Sequence, residues 1–268
     1  MNSVLDRLRN GETADMAEDI EHLRELNAEL ERALVERTAA LEAAQREFDA
    51  FAYSVSHDLR APLRHITAFA AMLERAGLAK LDPDERGSVQ AIKEAADRMN
   101  QLINDLLRLS RIGRAEMNST AVPLNEIVRQ AQNDLAPEML GRKIEWRIQP
   151  LPTVHGDSTL LRHVFVHLLD NALKFSRHRE TAEIEIGARQ EPHRWVIWVR
   201  DNGVGFDQKL VERLFNVFQR LHSEREFEGT GIGLAIVRKI VARHGGETWA
   251  EGRLNEGAML SFSLPKAS

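Results

Sequence analysis

Four short stretches place polar, chemically capable side chains where apolar patterning alone would not put them. In "SVSHDLRAPL" (54–63), His57 stands between Ser56 and Asp58, with Pro62 five residues further on. "HLLDNALKFS" (167–176) carries Asn171 and Lys174, "DNGVGF" (201–206) carries Asp201 between an apolar strand and two glycines, and "EGTGIGLAIV" (228–237) opens a helical pattern on three glycines. A glycine-lined helix start offers unpaired N–H groups to phosphate. Asn171 can give an oxygen to Mg²⁺, Lys174 can neutralise phosphate charge, and Asp201 can accept the exocyclic amine of adenine. Taken together these groups imply ATP. Each stretch alone also has a purely structural reading: DNG is a common turn, an asparagine near a helix end is often a cap, and a lone glycine cluster is weak. A Rossmann loop is excluded for Gly229, Gly231 and Gly233, because the polar run "HSEREFE" precedes them instead of a strand.

The elements that must position these residues fall into two kinds. Positions 20, 23, 27, 30, 34, 37, 41, 44, 48, 51 and 55 step by three and four and are apolar except for Asn27 and Arg37. That is a coiled-coil seam, for which a parallel homodimer is the simplest partner, with Asn27 fixing register. Beyond Val55 the apolar arc runs through Leu59, Leu63, Ile66, Ala70 and Leu73. At 3.6 residues per turn His57 falls on the opposite, solvent side. Pro62 predicts a kink. A second helix is predicted from about Pro83 to Arg111, after a turn built on Gly77 and the Asp82-Pro83 pair, and "GRAEMNSTAV" (113–122) reads as a linker. Two such hairpins from two chains make a four-helix bundle.

Past the linker the pattern changes. Helices are expected at 124–136, 157–175 and 231–244, and strands in "KIEWRIQ", "AEIEIGAR", "RWVIWVRD", "GETWAEG" and "AMLSFSLP". The predicted fold class is α+β multidomain. It comprises a coiled coil (1–47), a dimeric four-helix bundle with one helical hairpin per chain (48–112), a linker (113–122) and an α/β sandwich with a mixed sheet (123–268). The chain has 268 residues, 43% hydrophobic and 29% charged, with net charge −5 and no cysteine. Disulfide, thiolate and Cys-based zinc chemistry are thereby excluded. The absence of a Lys/Arg block argues against nucleic acid as partner. No apolar run approaches the ~18 residues of a membrane span, and the start has no signal-peptide core, so no membrane insertion and a cytoplasmic location are expected.

In that order the motifs resemble the catalytic core of sensor histidine kinases: a dimerisation and histidine-phosphotransfer bundle followed by an ATP-binding domain of the gyrase, chaperone and histidine-kinase superfamily. "SVSHDLRAPL" is similar to the phosphoacceptor box, "HLLDNALKFS" to the Asn box, and "DNGVGF" to the first glycine box. "LFNVFQRLH" is similar to the Phe box, "GTGIGLAIV" to the second glycine box, and the wording is most similar to bacteriophytochrome-type kinase modules.

The resemblance implies that His57 is the nucleophile toward the γ-phosphate and passes the phosphoryl group to an aspartate of a response-regulator receiver domain, with Asp58 taking or holding the proton on the other ring nitrogen. It further implies that Asn171 ligates Mg²⁺, Lys174 contacts phosphate and Asp201 reads adenine. Gly203 and Gly205 would shape the adenine pocket, and Gly229, Thr230, Gly231, Gly233 and Leu234 would wrap the phosphates. Phe215 and Phe218 would anchor a lid over 206–228. An ATP-hydrolysing branch would carry a catalytic Glu where this chain has His167, and a degenerate scaffold acting mainly as a response-regulator phosphatase would have lost Asn171, Asp201 or the glycines. Position 61, four residues after the acceptor, is Ala61, which cannot orient a water. No sensory domain is recognisable before residue 20, so the signal is expected from an upstream sensory domain or a separate sensor protein.

Overall fold

The computed structural model describes residues 2–77, 82–113, 116–223 and 226–266, without the side chains of 2–21, 42, 45, 49, 76, 77 and 83. Helix α1 runs Asn2–Gly77, with Pro62 inside it, and α2 runs Pro83–Ile112. The turn expected at 78–81, the seam side chain of Ile20 and linker residues 114 and 115 lie outside the described residues.

Met1–Phe51 forms one unit and Ala52–Ser268 another. In the first, the described seam side chains Leu23, Leu30, Leu34, Leu41, Phe48 and Phe51 are all exposed, as expected of a coiled-coil strand viewed without its partner. In the second, α1 and α2 form a hairpin. Asp82 and Glu85 close a reciprocal capping box at the start of α2, with proline at its first position. Leu63 of α1 and Ala96, Ile103 and Leu107 of α2 make a small core, and Lys93 Nζ pairs with Glu74 at 2.8 Å. Ala52, Ala70 and Val89 are also buried, whereas Leu59, Ile66, Phe69, Leu73, Ile92 and Met99 remain exposed.

The remaining elements build one layered domain: β1 (Thr120–Pro123), α3 (Leu124–Asp134), β2 (Ile144–Ile148), β3 (Thr153–Gly156), α4 (Ser158–Phe175), β4 (Ala182–Gln190), β5 (Arg194–Asp201), α5 (Gly233–Arg243), β6 (Thr248–Arg253) and β7 (Gly257–Pro265). The main sheet has order β2-β4-β5-β7-β6, with β2 parallel to β4 and every other pair antiparallel, so it is mixed as the sequence predicts. Ile184, Ile186, Ile197, Val199, Leu260, Phe262 and Leu264 share one continuous core with Leu161, Val164, Phe165 and Leu168 of α4 and Ile236, Val237 and Ile240 of α5. Phe165 meets Phe262 edge to face, ring centroids 5.8 Å apart.

One boundary is corrected. Residues 120–122, expected in the linker, belong to β1, which pairs antiparallel with β3. A four-residue strand of which only Val122 is buried has too little alternation to announce itself. Helix α3 also stops at Asp134, two residues before the expected end, where a 3-10 turn over Ala136–Met139 begins. No helix among the described residues is long and apolar enough to cross a membrane.

Candidate functional site

A cleft of about 340 Å³ opens between α4, the end of β5, the segment after it and the start of α5. Asn171, Lys174, Asp201, Gly205, Gly229, Thr230, Gly231, Gly233 and Leu234 all line it. Helix α4 presents His167, Asn171 and Lys174 at spacings of four and three, hence on one face. Asp157 caps that helix from Oδ1, which accepts from the amides of Thr159 and Leu160, both at 3.0 Å. Asp157 N–H in turn donates to His244 Nε2 at 3.0 Å, and His244 Nδ1–H donates to Ile240 O at 2.8 Å. A histidine at the end of α5 therefore fixes the start of α4, with both ring nitrogens committed.

Asp201 is the buried carboxylate of the cleft. Burial pushes its pKa up to about 6, against the amides of Gly203 and Ala258, which donate to it and favour the charged form. Asn202 pins the turn to the sheet, accepting from Glu183 N–H at 3.1 Å and donating to Thr181 O at 3.0 Å. Arg179 braces it from below through the carbonyls of Asn202, Gly203 and Asn255. Gly203 lies beneath the cleft and not on its wall: a Cβ there would sit 2.6 Å from Asp201 Oδ1 and from Phe175 O. Gly205, at φ +60°, has no room either, since a Cβ would fall 1.9 Å from Arg253 O.

The phosphate end is built by α5. Its N-cap is Ile232, which supplies no side-chain cap, so the first-turn amides beside Gly231, Gly233 and Leu234 suit an anion. Gly231 has φ +70°, with a Cβ position 2.9 Å from Gln219 O, so the loop can hug the segment before it only as glycine. Lys174 is largely buried, which lowers its pKa, while nearby Asp170 favours its charge. The Asn171 amide has no hydrogen-bond partner among the described residues, which leaves its oxygen available. No cluster of three or more His, Cys, Asp or Glu able to hold a metal occurs among the described residues. The Asn171 oxygen on the cleft wall suits Mg²⁺, which needs few protein ligands because it keeps several waters and takes others from substrate phosphates.

Phe215 and Phe218 do not line the cleft. Phe215 is 8% exposed and anchored in the main core, whereas Phe218 is 58% exposed with φ +62°. Phe227 anchors this segment together with Phe215, in place of Phe218, its ring 5.1 Å from Phe175 and 5.4 Å from His222, while His222 Nε2–H donates to Gly205 O at 2.8 Å. The signal for Phe227 was present in the sequence: it is the one apolar residue in "HSEREFE". Asp170 lay within a quoted motif, but nothing local marked Gln101, Asp105 and Arg108 of α2, which also line the cleft. His167 is partly buried, and its pKa is lowered to about 4 by desolvation and by Arg108, His163 and Lys174, so it stays neutral.

His57 and Asp58 lie outside the cleft on α1, with side chains 78% and 76% exposed. His57 Nδ1 is 3.1 Å from Asp58 Oδ1, the geometry of an Nδ1–H donating to the carboxylate while Nε2 keeps its lone pair toward solvent.

Residues 49–115 match the His Kinase A (phospho-acceptor) domain, and residues 156–268 match the Histidine kinase-, DNA gyrase B-, and HSP90-like ATPase. The chain is 36% identical over 225 residues to cyanobacterial phytochrome A of Nostoc sp., covering 84% of this chain and 29% of that protein. It is 38% identical over 234 residues to the methanogenesis regulatory histidine kinase FilI of Methanothrix harundinacea, covering 87% and 26%. The chain thus spans about a third or less of these relatives. Among solved structures, full-length ShkA in complex with AMPPNP is similar with a TM-score of 0.60 and 30% identity, covering 81% of this chain and 46% of that one. With an exposed histidine in the first matched region and a cleft lined by Asn171, Lys174, Asp201 and the 229–234 loop in the second, the chain carries the phospho-acceptor and ATPase domains of a histidine kinase core and belongs with the histidine kinases.

Proposed function

We propose that this chain is the catalytic core of a two-component sensor histidine kinase, in which ATP phosphorylates His57 and the phosphoryl group passes to an aspartate of a response-regulator receiver domain. The observation that carries the reading is the convergence of Asn171, Lys174, Asp201 and the 229–234 loop on one cleft, in a chain whose acceptor histidine is exposed and hydrogen-bonded through one nitrogen only.

Adenine is read by the Asp201 carboxylate, which accepts the exocyclic amine most strongly when ionised. Lys174 and the α5 amides hold the phosphates, and Asn171 offers its oxygen to Mg²⁺, which when bound supplies charge neutralisation on the phosphate oxygens. Asp58 keeps the proton on Nδ1, so the Nε2 lone pair attacks the γ-phosphorus, the bond to the β–γ bridging oxygen breaks and ADP leaves. His167 stands where the hydrolysing branches carry the carboxylate that activates water, which disfavours simple ATP hydrolysis. The exposed apolar rows on α1 and α2 are the faces that a second copy would cover, making the four-helix bundle and coiled coil of a homodimer. We place the phosphotransfer hairpin at 48–112 and the start of the ATP-binding domain at residue 120. Receipt of the signal from an upstream sensory domain or protein, and a cytoplasmic location, belong to the same reading.

The test is incubation with γ-labelled ATP and Mg²⁺. Wild type should acquire acid-labile, base-stable label, whereas His57→Gln should acquire none and still bind nucleotide. Undiminished label in His57→Gln would overturn the assignment.

A further inference from the structure

Helix α2 of the phosphotransfer hairpin meets the phosphate loop directly. Thr230 Oγ1 donates to Asp105 Oδ2 at 2.8 Å, placing a carboxylate between the two domains on the wall of the nucleotide cleft. One residue earlier on α2, Asn104 Oδ1 accepts from Arg60 at 3.0 Å, and Arg60 is three residues past His57. A single turn of α2 therefore touches both the acceptor segment and the loop that would hold phosphate. The contact is backed by packing: Leu109 and Ile112 of α2 join the main core, and the Arg243 guanidinium of α5 donates to Ile112 O.

This docking has costs. Among the described residues His163 Nδ1 and His167 Nε2 are buried without hydrogen-bond partners, and Arg108 of α2 lies near both rings. A buried polar atom left unpaired is destabilising. Asp105 is itself partly buried, which raises its pKa against the hydrogen bond from Thr230. Its charge, when present, faces the end of the cleft where a nucleotide carries three or four negative charges, and like charges in a partly desolvated site repel.

On the reading that the cleft binds ATP, we propose that Asp105 competes with the terminal phosphates of the nucleotide for Thr230, so that nucleotide binding and the α2–loop contact oppose each other. The coupling is reciprocal: a triphosphate that takes the loop releases α2, and a hairpin held against the loop weakens triphosphate binding. Adenosine, which has no phosphate, is indifferent to Asp105. Discrimination among nucleotides therefore rises with phosphate number once the latch is removed.

The experiment is calorimetric titration of the full chain with adenosine, ADP and ATP in Mg²⁺, for wild type, Asp105→Asn and Asp105→Ala. Asn removes the charge and keeps an acceptor, whereas Ala removes both. Asp105→Ala should leave adenosine unchanged, tighten ADP about threefold and tighten ATP about tenfold, with Asp105→Asn between it and wild type. In parallel, ATP should speed hydrogen exchange over residues 101–109 in wild type, and Asp105→Ala should show that faster exchange without nucleotide. An equal change for all three ligands, or none, with exchange unaffected by ATP, would overturn the proposal. If wild type binds none of the three ligands, it is the ATP-binding reading that fails.

Discussion

The hairpin and the ATP-binding domain solve the problem of burial differently. The ATP-binding domain closes a continuous core within one chain, which takes in Leu109 and Ile112 at the end of α2 and runs to Leu264 on β7. The hairpin buries one side, with Leu63, Ala96, Ile103 and Leu107 as its own cluster, and leaves Leu59, Ile66, Phe69, Met72 and Leu73 facing outward. The two histidine environments follow the same division: His57 is exposed on the hairpin, whereas His163, His167 and His244 are packed against the domain's helices. A core closed within the domain backs the walls of the cleft, whereas the one-sided core of the hairpin leaves His57 exposed beside an uncovered apolar row.

The sharpest way to break this comparison is to damage each core in turn. Phe262→Ala in the ATP-binding domain should cost about 3–5 kcal/mol and be independent of protein concentration in urea unfolding. Ile66→Asp with Met99→Lys should instead shift the assembly toward monomers by light scattering and leave the unfolding of the ATP-binding domain in place. Concentration-dependent unfolding of the domain itself, or a double variant that dimerises as before, would remove the distinction.

The next effect concerns Asp201. Its folded pKa, about 6, lies above the ordinary 3.8, so between those values the folded chain holds a proton that the unfolded chain has released. Stability therefore falls as pH rises through that window, and above it the buried charge costs on the order of 3 kcal/mol. Asp201→Asn should raise thermal stability at pH 8 while weakening adenine nucleotides about tenfold. Wild-type affinity for ADP should itself fall as the pH drops below about 6. A variant that binds ADP as wild type does would count against the adenine assignment.

The histidines give an opposite slope. His163, His167 and His244 have folded pKa values lowered from 6.5 chiefly by burial, His167 to about 4. As pH falls below 6.5 the unfolded chain takes up protons that the folded one refuses, so their stabilisation is full above 6.5 and declines toward pH 4. His167→Asn, with Arg108, His163 and Lys174 as its charged neighbours, should flatten the decline in urea-unfolding free energy between pH 6.5 and 5 by about 1–2 kcal/mol. An unchanged slope would show that the other groups set it. The smallest expected effect is at the acceptor turn: Ala61→Thr should add modest phosphatase activity toward a phosphorylated receiver domain, and a rapid wild-type phosphatase would make position 61 irrelevant.

Legibility in the sequence tracked locality. Periodicity of 3.6 or 2 was enough for α1, α2, α4 and the five main strands, and the motif wording was enough for Asn171, Lys174, Asp201 and the loop glycines, because each is set by its own few neighbours. Four-residue β1 and Asp105 depend on partners 32 and 125 positions away, Val154 for Val122 and Thr230 for Asp105, and no local pattern encodes those distances. Phe218 was misplaced for a related reason. Two phenylalanines in "LFNVFQRLH" read alike, but only the packing shows that Phe215 enters the core and that Phe227, beyond the motif, closes on Phe175.

The central claim is that ATP bound in the cleft phosphorylates His57 on the nitrogen that Asp58 does not hold. Nitrogen-15 and phosphorus NMR of the protein after incubation with Mg²⁺ and ATP test it directly, since the two phosphohistidine isomers give distinct couplings. The account predicts one phosphoryl group on Nε2 of His57, with Nδ1 still bearing its proton. A phosphoryl group on Nδ1, or on any residue other than His57, would contradict it.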